Sequence, residues 1–150
     1  MRFNTPIRAS KRDLLAAARH EAGHAMMARA MGKHIYGVTI RRDGSGYCDL
    51  DIPSSPIQNL RITIAGYVAE RVMSGHKPSF AAMQRDKSQS DDVYDVHTIL
   101  MDGRVKPEVA LPAAFAYVTA FFQEPANKKK LQRISVRLAR TRVLFQRSFD

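Results

Sequence analysis

A chain of 150 residues with 45% hydrophobic and 25% charged positions has room for one domain with a real core, and this composition excludes disorder as its organising state. Its 24 basic and 14 acidic residues give a formal charge of +10, which favours acidic partners such as nucleic acid, an anionic membrane face or an acidic protein, or else a plain solvated surface. The single cysteine, Cys48, excludes an intramolecular disulfide and a cysteine-held metal, and fits a reducing compartment.

The basic N-terminus is not followed by an apolar signal core. The most apolar stretch, Val109 to Phe122, is interrupted by Pro112 and is shorter than the roughly 20 residues of a membrane helix. The expectation is a cytoplasmic protein without a transmembrane segment. No Walker phosphate loop is present.

In chain order, Ser10 with Asp13 three residues on predicts a helix start, and Gly32 a stop, for a helix from about residue 11 to Met31. Ile35 to Ile40 is rich in β-branched residues and reads as a strand. Asp43-Gly44-Ser45-Gly46 supplies turn chemistry, and Tyr47 to Ile52 returns as a second strand of a small hairpin or sheet. Ser55-Pro56 opens a helix to about Ser74. Residues 75–89 read as a long loop. Ser90 reads as the cap of a helix to about Asp102, with Asp91 and Asp92 in its favourable first turn. Pro107 opens an apolar helix to Glu124-Pro125, its start delayed by Pro112. A last helix runs from about Asn127 to the end, with Leu131, Ile134, Leu138, Phe145 and Phe149 as its apolar stripe and Arg133, Arg137, Arg140 and Arg147 beside it. The expected fold is mainly helical α+β in a single domain, with about five helices and one small β element.

The stretch His20-Glu21-Ala22-Gly23-His24 carries the chemistry. Histidines four apart on a helix share one face, so their imidazoles can converge on one ion, and neutral imidazole suits zinc. Glu21 is rotated about 100° from His20 and can reach a water at the metal without being a ligand. A metal that acidifies water beside a carboxylate base is the requirement of metal-assisted hydrolysis. The competing account is a surface helix with two idle histidines. Against it stands Gly23, which costs a mid-helix position about 1 kcal/mol relative to Ala and so points to close approach of another backbone. A catalytic zinc needs a third protein ligand. Asp86, Asp91, Asp92, Asp95, Glu70, His34, His76 and His97 are all candidates by residue type.

Arg19 to Ala25 resembles the zinc helix of the FtsH-type peptidase domain. Ile64-Ala65-Gly66-Tyr67-Val68-Ala69-Glu70-Arg71 resembles that family's Ala-Gly-x-x-Ala-Glu helix, and Ser90-Asp91-Asp92-Val93 the segment with its aspartate ligand. The strand block Val38-Thr39-Ile40 also fits, and the resemblance spans about residues 10–102. It implies one Zn²⁺ per chain held by His20, His24 and Asp92, with Glu21 as catalytic base; Glu70 either bonds a ligand histidine from outside or is an exposed helix charge. It departs from the family in lacking an ATPase module and membrane helices, in having Ser88-Gln89 where a Gly-Ala pair is common, and in its basic C-terminal helix, about 127–148. The implied function is an ATP-independent zinc metallopeptidase acting on flexible or unfolded polypeptide, with Ile35 to Ile40 as a strand on which an extended peptide could pair. The alternatives are a non-catalytic metal-binding or partner-binding protein, and a nucleic-acid-associated protein that uses Arg133, Arg137, Arg140 and Arg147. An oligomer is compatible with either.

Overall fold

Helix α1 (Lys11–Ala30) begins where the Ser10 side chain accepts a hydrogen bond from the Asp13 backbone N–H, and α2 (Pro56–Met73) where Ser55 does the same for Gln58. The computed structural model describes residues 10–51 and 55–150, the side chain of Arg12 excepted. Between these helices lie β1 (Ile35–Ile40) and β2 (Gly46–Leu50). After α2 come α3 (Phe80–Arg85), α4 (Ser90–Asp102), α5 (Pro107–Gln123), α6 (Pro125–Thr141) and β3 (Val143–Leu144). The architecture is mainly helical α+β, with six α-helices and one three-stranded antiparallel sheet among the described residues. Among the described residues, no helix is long and apolar enough to cross a membrane.

Helix α2 is the centre of the domain. Its residues from Ile62 to Ala69 are all buried, as expected for a helix packed on several sides. It lies against α1, α4 and α5, while α6 covers the other side of α1. The contact between α1 and α2 is close because Gly23 lies in it. A Cβ at Gly23 would stand 2.6 Å from the Ala69 Cβ and 2.7 Å from the Ala65 carbonyl oxygen, so only glycine allows this crossing.

Several sequence expectations are revised. Residues 75–89 are not one loop, because Ser79 accepts from the Ala82 N–H and starts α3, which sinks Met83 completely into the core. A short 3₁₀ turn, residues 87–89, follows. Ser90 is therefore the first residue of α4, and Gln89 precedes it without a side-chain cap. Pro112 does not delay α5, which starts at Pro107 and carries Pro112 inside it. Helix α6 starts at Pro125 and stops at Thr141, because Arg142 takes a left-handed backbone (φ 67°). The chain then pairs Val143 and Leu144 with β1, so Phe145, Arg147 and Phe149 leave the helical stripe. This pairing makes β1 the central strand, in the order β2-β1-β3. Ile35 to Ile40 therefore does not offer the free edge that peptide pairing requires; β2 and β3 are the outer strands. Ile52, expected in the second strand, lies outside the described residues.

The α1–α2 crossing is testable by Gly23→Ala. Alanine is the better helix former by about 1 kcal/mol, so local propensity alone would stabilise the variant. Overpacking against a backbone carbonyl instead predicts a net loss of about 1–3 kcal/mol in urea unfolding. A gain in stability would show that the two helices can separate without cost.

Candidate metal centre

His20 and His24 stand one turn apart in the middle of α1, where helix ends cannot fray. Their rings meet edge to face, and the two Nε2 atoms are 3.0 Å apart. Asp92, in the first turn of α4, brings Oδ2 to 2.9 Å from His20 Nε2 and 3.2 Å from His24 Nε2. Gly66 of α2 lies directly behind this triangle. A Cβ there would reach 2.5 Å from His24 Nε2 and 2.8 Å from His20 Nε2. The small residues of α2 thus give the imidazoles the space in which they converge.

Hydrogen bonding fixes which face of each ring is free. His24 Nδ1 lies 2.7 Å from the Ile62 carbonyl oxygen, which can only accept, so Nδ1 carries a proton. His20 Nδ1 lies 2.6 Å from Glu70 Oε1 and donates to that carboxylate. In the neutral tautomers both Nε2 lone pairs then face the buried Asp92 oxygen, and three acceptors meet with no donor among them. Such a triangle requires a cation or protons. Tetrahedral donors about 2.05 Å from zinc stand roughly 3.3 Å apart, close to the edges seen here. Two imidazoles and a carboxylate, each imidazole backed at Nδ1, also form a donor set that suits zinc.

Electrostatics agree with this reading. Burial disfavours the His20 imidazolium, but the Asp92 and Glu70 carboxylates outweigh burial and raise its pKa to about 10. The same contest, against Asp92, raises His24. The Asp92 carboxyl is lowered despite its own burial, because two imidazoles face it. Protons and a metal ion thus compete for the same three atoms.

A cleft of about 800 Å³ opens at the triangle. Glu21 lines it, and burial raises its carboxyl pKa. Strand β2 forms one wall with Gly46, Tyr47, Cys48 and Leu50, and Gly46 presses close to the Glu21 side chain. Burial, then the neighbouring Glu21 charge, pushes the Cys48 thiol up, so Cys48 is no thiolate nucleophile.

Of the eight residues considered for a third ligand, Asp92 is the one brought to both imidazoles. Glu70 reaches only His20 Nδ1, and Asp91 and Asp95 line the cleft beside Asp92. Asp86 bonds Ser88, while His34, His76 and His97 sit against Tyr36, Ser74 and Phe80. Arg133, Arg137 and Arg140 are exposed on α6, Arg147 lies in the 3₁₀ turn beyond it, and none of the four lines the cleft. The cleft residues that sequence reasoning did not single out are Asn59, Thr63, the β2 wall and Gln89. Only Gln89 carried a signal, as part of the Ser88-Gln89 departure.

Fold and site together define a metallopeptidase-type domain. The family model of Peptidase M50B-like proteins matches residues 6–89, more than half of the chain, and the chain belongs to that family. The match takes in His20, Glu21, His24 and Glu70 and ends before Asp92. It supports a metallopeptidase, and not the FtsH type in particular. No curated protein matches the chain.

Loading zinc at pH 7 should release protons, seen in calorimetry as a heat that depends on the buffer's ionisation enthalpy, and zinc affinity should fall as pH falls. In the metal-free protein His20 is raised from 6.5 to about 10. Its pairing therefore stabilises the fold fully below about pH 6.5 and is lost as pH rises towards 10. The Tm of metal-free protein should carry this slope, and Glu70→Gln should flatten it. Zinc uptake without proton release would contradict the protonation pattern derived above.

Proposed function

We propose that the chain is a zinc-dependent peptidase that hydrolyses flexible or unfolded polypeptide, with His20, His24 and Asp92 holding one Zn²⁺ and Glu21 as general base. The observation that carries this reading is the triangle of His20 Nε2, His24 Nε2 and Asp92 Oδ2, three metal-binding atoms within 4.8 Å of one another, in a cleft that also holds the half-buried Glu21. Three protein ligands is the number of a catalytic zinc site, whereas structural zinc usually has four. Bound zinc would supply a Lewis acid for the scissile carbonyl and lower the pKa of a water. Glu21 takes the proton of the attacking water as its oxygen bonds to the carbonyl carbon. It then delivers that proton to the amine as the C–N bond breaks. Burial keeps the Glu21 carboxyl closer to neutrality, which suits both halves of the transfer. Glu70 and the Ile62 carbonyl hold the two rings in the tautomer that binds metal.

The outer strand β2 lines the cleft and can receive an extended segment by main-chain pairing. Folded proteins do not offer such a segment, so substrates are flexible or unfolded. The bond-breaking step needs no nucleotide. The order of the His-Glu-Ala-Gly-His helix, the Ala65 to Glu70 block and Asp92 on a later helix supports an FtsH-like arrangement of ligands within the metallopeptidases.

Glu21→Gln should keep the fold and the zinc and lose about 10²–10⁴-fold in hydrolysis of an unstructured protein. Loss of zinc would make Glu21 a ligand, and unchanged hydrolysis would assign the reaction to another group. Zinc in both proteins with cleavage by neither would favour a metal-binding protein without catalysis.

The basic face of α6 supports a separate contact with a polyanion, an acidic protein or nucleic acid, because Arg133, Arg137 and Arg140 form no ion pair among the described residues. Changing these three to Gln should leave peptide hydrolysis unaltered and weaken polyanion binding at low salt. A parallel loss of hydrolysis and fold would make the face structural.

A further inference from the structure

The chain carries 24 basic and 14 acidic residues, yet the cleft reverses this balance. Asp13, Glu21, Glu70, Asp91, Asp92 and Asp95 line it, and no Lys or Arg does among the described residues. A divalent ion at the triangle with neutral imidazoles would still leave the lining net negative. Asp91 and Asp95 are exposed, sit one turn apart on α4 and belong to no ion pair among the described residues. Asp13 lies two turns before His20 on α1, about 10 Å along the helix.

A second observation points the same way. Gln89, the residue just before α4, lines the cleft and is 2% exposed. Its Nε2 makes only a long contact of 3.4 Å to Ser88 Oγ, and its buried Oε1 accepts nothing. A buried acceptor without a donor is costly unless a ligand supplies one. The exposed carboxylates and the orphan amide oxygen both ask the ligand for N–H donors, and for positive charge.

We infer that the cleft selects cationic polypeptide, segments with Lys or Arg flanking the scissile bond. Asp91, Asp95 and Asp13 act as specificity residues, and the Gln89 oxygen accepts an N–H from the bound chain. This deepens the proposed peptidase reading and rests on it for the scissile bond, but not for the charge preference. The field of the cleft acts locally, because exposed charges beyond about 8 Å are screened at physiological salt, and no residue of α6 lines the cleft. Each exposed ion pair is worth a factor of about 1.5–5 in affinity, so two or three together give from about twofold to about a hundredfold.

The test uses two labelled, unstructured peptides of one length and one central sequence, flanked by Lys in one and Glu in the other. Binding is read by fluorescence anisotropy at about 0.15 M salt. The protein is full-length, zinc-loaded Glu21→Gln, with Arg133, Arg137 and Arg140 changed to Gln so that α6 does not capture the acidic peptide. The Lys peptide should bind several-fold tighter, and added salt should shrink the gap. Adding Asp91→Asn with Asp95→Asn should cut the gap several-fold at unchanged zinc content, and Gln89→Leu should weaken both peptides. Equal binding, tighter binding of the Glu peptide, or a gap indifferent to the two Asn changes would overturn the inference. Wild-type protein separates the two proposals. Cleavage of both peptides at equal kcat/KM would keep the peptidase and sink the selectivity. A binding preference with no cleavage of either would keep the selectivity and sink the peptidase.

Discussion

The structure depends on one close approach, the crossing of α1 and α2. Gly23 lets the α2 backbone come within contact distance of α1, and Gly66 leaves empty the volume into which two imidazole rings turn. A side chain at either position would drive the helices apart or push Nε2 atoms out of convergence. The same crossing carries Ile62 and Glu70 to the two Nδ1 atoms. Packing and chemistry are therefore not separable here, because the small residues that let the core close also shape the site.

The second constraint is protonic. With both Nδ1 protons committed to acceptors, the inner nitrogens of the neutral rings have only lone pairs to offer, and Asp92 adds a third acceptor. A buried cluster of acceptors is unstable alone and binds whatever positive species is supplied. Its position inside an acidic cleft, in a chain of strong net positive charge, separates two electrostatic surfaces on one small domain. One surrounds the candidate metal centre, and the other is the exposed basic face of α6, none of whose residues lines the cleft.

Much of the architecture was legible because its signals are local. Ser10, Ser55 and Pro56 mark helix starts by hydrogen bonds and dihedral limits that reach no further than three residues. What misled the reading was also physical. The polar composition of residues 75–89 hid α3, whose one deep contact is Met83. The continuous helical spacing past Thr141 hid a break that Arg142 makes through its backbone, after which tertiary pairing with β1 claims the chain.

The sequence by itself determined the pair of imidazoles and the adjacent glutamate, since residues one turn apart on a helix share a face whatever surrounds them. It also marked Gly23 as a point of close contact, because a glycine in mid-helix is unfavourable without one. Residue type and spacing left eight third-ligand candidates open; a resemblance pointed to Asp92, and the tertiary structure brings Asp92, and not Asp91, Asp95 or a further histidine, to those rings and sets Glu70 against His20 from outside. Only it collected the carboxylates and Gln89 around one cleft and put β2 at the sheet's edge. These residues are separated by as many as 82 positions along the chain, from Asp13 to Asp95, and no local rule acts over that distance. Their meeting is set by how buried helices pack, which is a property of the whole core.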